Sequence, residues 1–183
     1  MSLDRATIAE AALELLQDGG VEGVSTRRLA DRLGVKGPSL YWHFKNKEEL
    51  FGLMSGLMFA EALPGADLEN PAFDWVEWLA EGARGIRKVA LSRRDGAVVM
   101  SRARPLGLPE NRASAPMVQS LLRSGLSENE AQLAMLALGR FALGWVLYEQ
   151  TAAPRATVHG GDDGFEFGLQ TFLSGLKQRL AEA

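Results

Sequence analysis

The chain contains no cysteine, so neither a disulfide framework nor a thiolate metal site is open to it. Its only histidines, His43 and His159, are too few and too far apart to suggest a histidine-based metal centre. No metal and no cofactor are expected. Strand-type alternation of apolar and polar residues is absent, as are internal repeats and low-complexity tracts. No uninterrupted apolar run approaches the roughly 20 residues of a membrane helix. The Met-Ser-Leu-Asp start lacks the charged-then-apolar pattern of a signal peptide. These absences lead to the expectation of a cytoplasmic protein with no membrane partner. A nucleophile elbow, a phosphate loop and metal-ligand spacing are also missing. The acidic pairs Glu48-Glu49, Glu128/Glu130 and Asp162-Asp163 are adjacent or near helix starts, where acids favour the dipole. The chain is not expected to be an enzyme.

What is present is an uneven distribution of charge. The 183 residues are 46% hydrophobic and 23% charged, ordinary for a globular protein of one large domain, or of a small domain joined to a larger one. Between Ser25 and Lys47, six cations (Arg27, Arg28, Arg32, Lys36, Lys45 and Lys47) oppose one acid, Asp31. The whole chain carries −3, so the remainder holds about −8. A compact basic island on an acidic chain is a surface built to meet a polyanion, and DNA is the leading candidate.

Helical periodicity dominates. Ile8, Ala12, Leu15 and Leu16 share one face of a helix from Asp4 to Gln17, which Asp18-Gly19-Gly20 ends, and Val21 and Val24 pack as the chain crosses back. Ser25 or Thr26 caps a second helix with the core face Leu29, Ala30 and Leu33. Gly34 supplies the turn and Val35 its apolar plug. Pro38 suits the first turn of a third helix, which Leu40 and Phe44 anchor. Three short helices around this turn make a helix-turn-helix unit. Asn46 caps a fourth helix reaching about Leu63, and Pro64-Gly65-Ala66-Asp67 breaks the chain. A second amphipathic stretch runs from Phe73 to Ala90, followed by a polar corner at Ser92–Gly96 and a short apolar piece from Ala97 to Met100. A loop marked by Pro105, Gly107 and Pro109 comes next. Further helices are expected at 111–124, 127–151 and 164–181, with a connection at 152–163.

Thr26-Arg27-Arg28-Leu29-Ala30, Leu33-Gly34-Val35, Pro38-Ser39-Leu40-Tyr41-Trp42-His43-Phe44 and Lys45-Asn46-Lys47 closely resemble the DNA-binding domain of tetracycline-repressor (TetR) family regulators. The similarity extends to Leu91–Ala97, Arg104-Pro105, Gly125-Leu126-Ser127, Gly139–Gly144 and Phe165–Leu180, which resemble the tetracycline repressors themselves. It implies an all-α homodimer. A helix-turn-helix domain at 1–46 is joined to a helical effector-binding and dimerisation domain at 47–183, which controls the spacing of two reading heads.

In a helix-turn-helix the second helix enters the major groove with its N-terminal side chains toward the base edges. By resemblance Gly37, Pro38 and Ser39 lie nearest the bases, while Lys36, Tyr41, Trp42 and His43 follow on the same element. Gly37 departs from the larger hydrogen-bonding residue that some tetracycline repressors carry. Thr26 and Arg27, with Arg28 beside them, are placed for phosphate or base contact, and Tyr41, His43 and Lys47 suit phosphates. Trp42 and Phe44 are equally at home in the core of a small domain, and His43 in a hydrogen bond to its own domain. Arg32 reads as a solvated helix residue.

Tetracycline repressors hold their drug as a magnesium chelate through a histidine and a carboxylate. At the best-matching positions this chain has Met100 and Tyr148, neither suited to a hard cation that wants oxygen ligands. Ile86, Met100, Met117, Met135, Trp145 and Tyr148 either fill a core or line a mainly apolar cavity, with Arg104 as its polar handle beside Pro105. The small-molecule effector is therefore expected to be hydrophobic or aromatic. Helices 127–151 and 164–181 are expected to form a four-helix interface with a second copy, the latter through the wide stripe of Phe165, Leu169, Phe172, Leu173 and Leu176, with Gly168 and Gly175 allowing close approach. The function expected is a ligand-responsive regulator, most simply a repressor of double-stranded operator DNA. The rival is a sequestering protein with a vestigial head.

Overall fold

The computed structural model of the chain describes residues 3–63, 73–102, 119, 121–151 and 161–181. Among these residues it is all-α, with no strand. The helices are α1 (Arg5–Gly23), α2 (Thr26–Leu33), α3 (Gly37–Leu40), α4 (Lys47–Ala62), α5 (Trp75–Leu91), α6 (Gly96–Arg102), α7 (Glu128–Thr151) and α8 (Gly161–Ala181). They pack as two units. One takes in α1 to α3, α4 as far as Glu61, and α6; the other takes in most of α5 with α7 and α8.

In the first unit, Asp4 caps α1 by accepting the Thr7 N–H at 2.8 Å, and Ile8, Ala12, Leu15 and Leu16 are buried as their spacing predicts. The helix does not stop at Asp18. It continues to Gly20, kinks there at φ 62° and ψ −166°, and resumes as far as Gly23. Only a residue without a Cβ takes that backbone cheaply, so the kink falls on glycine. Val21 and Val24 are then buried. Of the two possible caps for α2 it is Ser25 that serves, its Oγ accepting the Arg28 N–H at 3.3 Å. Gly34 closes α2 in the left-handed region, φ 66°. The Gly34 and Val35 N–H groups return to Asp31 and Ala30 carbonyls, the two-bond closure that fixes where α3 starts.

The reading element is shorter than its sequence suggests. Helix α3 ends at Leu40 and residues 41–43 form a turn, instead of a helix continuing to Phe44. One turn with no side-chain cap at Lys36 cannot hold itself. Leu40 and Phe44, 0% and 2% exposed, anchor it from below, which places Phe44 in the core. Asn46 caps α4 through the Glu49 N–H at 2.9 Å, while the Glu49 carboxylate accepts the Lys45 N–H at 2.7 Å.

In the second unit, Asp74 caps α5 through the N–H groups of Val76 and Glu77. Ser127 and Glu130 start α7 with a reciprocal capping box. The hydrogen bonds from Ser127 hold the Glu130 carboxyl below its usual range. Helix α8 begins at Gly161, earlier than expected, so residues 161–163 belong to its first turn. The rest of that connection, the break at 64–67, the 105–109 loop and most of the helix expected at 111–124 lie outside the described residues.

The stripe expected to meet a second copy needs correcting. Phe165, Leu169, Leu173 and Leu176 are 2%, 0%, 1% and 8% exposed within the single chain, and Phe172 is half-buried. Packing of α7 on α8 consumes this face: Phe165 stacks on Phe141 at 5.2 Å between ring centres. A Cβ on Gly168 would lie 2.7 Å from the Phe141 ring, so that glycine serves an internal contact. Gly175 is open.

Candidate nucleic-acid interface

The start of α2 and the short α3 present one polar surface. Arg27, Lys36 and Lys45 are exposed and make no ion pair among the described residues. Thr26 is half-buried in the first turn of α2. Ser39 donates its hydroxyl proton to the Lys36 carbonyl at 2.6 Å, which fixes the rotamer and leaves the oxygen lone pairs to accept from a base edge. A Cβ on Gly37 would meet nothing within 4 Å, so the space before α3 is open and no side chain of residue 37 reaches into it. Pro38, Tyr41 and Trp42 line a shallow open cleft. Tyr41 is 56% exposed and leans on Phe44; Trp42 is 88% exposed, which excludes the core reading for it. His43 is half-buried.

Two of the expected contact residues also brace the head itself. Arg28 donates to the Gly23 carbonyl at 2.8 Å and braces the end of α1. The Lys47 ammonium donates to the Val21 carbonyl at 3.2 Å and lies 5.4 Å from the centre of the Phe51 ring. Both are exposed, and each keeps further N–H donors beyond the one that braces the head. Arg32, expected to be solvated, ties α2 to α1 through Glu14 and Asp18 at 2.7 and 2.8 Å. Its hydrogen bond with Glu14, then that with Asp18, raises its pKa.

The expected effector residues divide between the units. Ile86 is buried in α5, Met135 and Trp145 are half-buried in α7, and Met100 is buried in α6 of the other unit. Arg104, Pro105 and Met117 lie outside the described residues. Tyr148 is 57% exposed, which removes it from any enclosed cavity of the single chain. A buried thioether and a solvent-facing phenol do not fit the oxygen-ligand demand of a magnesium chelate. The Trp145 indole N–H is buried and has no acceptor among the described residues, amid the Phe141 and Phe165 rings at 5.9 and 6.1 Å.

Sequence reasoning missed a pair of arginine clamps. Arg84 forks onto Glu166 and also reaches Glu77; Arg87 forks onto Glu149, reaches Asp162, and lies 5.0 Å from the Phe165 ring centre. The Arg84 hydrogen bonds, followed by that of Gln170, pull the Glu166 carboxyl down to about 2. The only signal was the placing of two arginines three apart on one helix, which puts them on one face.

A recognition element seated by a glycine turn, with unpaired cations and exposed aromatics beside it, defines a helix-turn-helix DNA-binding protein. The model for bacterial regulatory proteins of the tetR family matches residues 8–54, and that for the tetracyclin repressor-like C-terminal domain matches residues 69–157. The chain is 34% identical to the tetracycline repressor protein class A from transposon 1721 of Escherichia coli, over 94% of this chain and 90% of that one. It superposes with a TM-score of 0.79 on a TetR variant from Acinetobacter baumannii AYE in complex with minocycline, at 34% identity, covering 97% and 98% of the two chains. Against BioQ with its double-stranded DNA operator the TM-score is 0.74 at 27% identity, covering 96% and 98%. The chain belongs to the TetR family: it is a DNA-binding transcriptional regulator with a ligand-binding C-terminal domain.

Proposed function

We propose that the protein is a homodimeric, cytoplasmic repressor that a small, largely apolar effector releases from its operator. The observation that carries this is the exposed set of Arg27, Lys36, Lys45, Tyr41 and Trp42 around the start of α3. Cations without partners neutralise phosphates, while Pro38, Ser39, Tyr41 and Trp42 meet the groove. Residues 1–46 carry the reading function and 47–183 the effector and dimer functions. This is a division of roles, since α4 and α6 pack in the unit of the head. The sequestering alternative is not favoured, because the relatives are named repressors and regulators. No enzymatic role is assigned. The test is a gel shift with duplex DNA from upstream of the protein's own gene, against an unrelated duplex at the same salt. Equal retention of both duplexes would refute the reading.

Helix α7 supports the dimer. It is long and apolar enough to cross a membrane by length and composition, yet Leu133, Ala137, Gly144, Leu147 and Tyr148 are all exposed along one face, with Arg140 the one charge in that row. Phe167 on α8 is 76% exposed, and Gly175 on the same helix is open. An apolar face of this kind on a regulator is a surface for a second copy, so these residues replace the buried stripe as the proposed interface. Two heads then reach half-sites about one helical turn apart.

The effector reading rests on Ile86, Met135 and Trp145. Trp145 supplies a buried N–H donor that finds no acceptor among the described residues, so the ligand that fits is an apolar or aromatic molecule with one hydrogen-bond acceptor. Calorimetric titration with magnesium and tetracycline is expected to show no tight site; sub-micromolar binding would count decisively against an apolar effector.

A further inference from the structure

Gly37 opens α3, yet the fold does not call for a glycine there. Its φ lies outside the left-handed region, in contrast to Gly34 at φ 66° on the other side of the turn. A Cβ at position 37 would meet nothing within 4 Å, whereas at Gly23 it would crowd the Arg28 guanidinium and the Leu15 carbonyl. Glycine also weakens a one-turn helix, because it has the most backbone freedom to lose. The head therefore carries a residue that costs it stability and that its packing does not need.

The gap lies where bases are read, since the first residues of the second helix in a helix-turn-helix face the base edges. Pro38 comes next, with an apolar ring and no N–H, so two residues in succession offer no polar side-chain atom. The first to offer one is Ser39, whose hydroxyl donates to the Lys36 carbonyl and is left to accept. Around them the exposed cations Arg27, Lys36 and Lys45 supply charge. Contacts to phosphate fix position on the duplex without carrying sequence information.

We propose that Gly37 determines specificity by omission: the base pair it faces goes unread, so operators that differ at that pair are bound alike. A side chain bonded to one base disfavours the other three pairs at its position. Leaving it out removes that discrimination, while the phosphate contacts keep the protein on the duplex. This role rests on the DNA-reading function and adds to it the place where the recognition element is blind.

The test passes a library of randomised duplexes over the full-length protein and sequences what is retained. Gly37→Gln and the shorter Gly37→Asn place an amide in the open space, and both amides bond adenine through N6 and N7. Each variant is expected to gain at least a tenfold preference for adenine at one base pair of the site. Wild type is expected to hold all four bases at that same pair within twofold, with the neighbouring preferences common to all three proteins. The urea unfolding midpoint is expected to stay level or rise, since the glycine is replaced where there is room. A wild-type preference at the pair the variants change would overturn the inference. Variants that select the same sequences as wild type, or that lose every duplex with the midpoint intact, count equally against it. In the second case the DNA lies against the backbone of residue 37. A midpoint that falls in both variants also sinks it, because position 37 is then not open. A wild type that enriches no sequence at all refutes the DNA-reading function itself, which that flat selection tells apart from the other outcomes.

Discussion

In the unit that carries the reading head, Arg27, Lys36 and Lys45 stand exposed without a counter-ion among the described residues, whereas in the unit of α5, α7 and α8, Arg84 and Arg87 each hold two carboxylates. The apolar surface is divided in the opposite sense. Among the described residues, besides Leu91 of α5, the exposed large hydrophobic side chains are Tyr41 and Trp42 in the head, and Leu133, Leu147, Tyr148 and Phe167 on α7 and α8. The difference separates two kinds of arginine that look alike in sequence. An unpaired cation beside exposed aromatics waits for phosphate, and a forked arginine between helices is scaffold.

The largest expected effect comes from spoiling the apolar face. Leu147→Glu combined with Phe167→Glu puts four acids into a symmetric interface, and light scattering at micromolar concentration is expected to show monomers. Joining two heads raises affinity by ~100-fold or more without new contacts, so operator binding is expected to fall by about that factor. A variant that remains dimeric moves the interface elsewhere.

The contrast between the arginines is sharpened by a pair of substitutions. Arg87→Ala strands Glu149, whose side chain is only 14% exposed, and is expected to cost about 2–3 kcal/mol in urea unfolding, less than full burial implies. The salt slope of DNA binding is expected to stay as it is. Arg27→Ala is expected to do the reverse, leaving the unfolding midpoint alone and lowering the salt slope by about one unit. If Arg27→Ala unfolds the head or leaves the slope unchanged, the division between waiting and scaffold arginines breaks down.

The smallest effect concerns pH. Because Arg84 holds the Glu166 carboxyl near 2 in the folded protein against an ordinary 4.5, its contribution is present above about pH 4.5 and is lost as the pH falls toward 2. Both side chains are about 40% exposed, so solvent screening keeps the contribution below ~1 kcal/mol. Wild type and Glu166→Gln are expected to differ in urea midpoint at pH 7 and to converge by pH 2. A difference that persists at pH 2 rules out the ion pair as its source.

Much of the molecule was legible because it depends on local chemistry. The caps at Ser25, Asn46 and Ser127, the glycine turn at Gly34 and the core face of α1 follow from side chains acting on their own backbone within a few residues. What was not legible shares one cause, which is competition among partners distant in sequence. That Lys47 and Arg28 also brace the Val21 and Gly23 carbonyls is visible only once the fold brings these groups together. The α8 stripe looks like an interface until α7 covers it, and Tyr148 looks like a pocket residue until its face of α7 is found uncovered.

By itself the sequence determined that the chain is helical, where most helices begin, and that a basic helix-turn-helix sits at its N-terminus. Those properties are set by periodicity, capping and charge, which act over one or two turns. Which cations remain free and which apolar stripe becomes core were decided only by tertiary structure. Each of those outcomes is a choice between partners tens of residues apart, and only the packed chain brings them within hydrogen-bond distance.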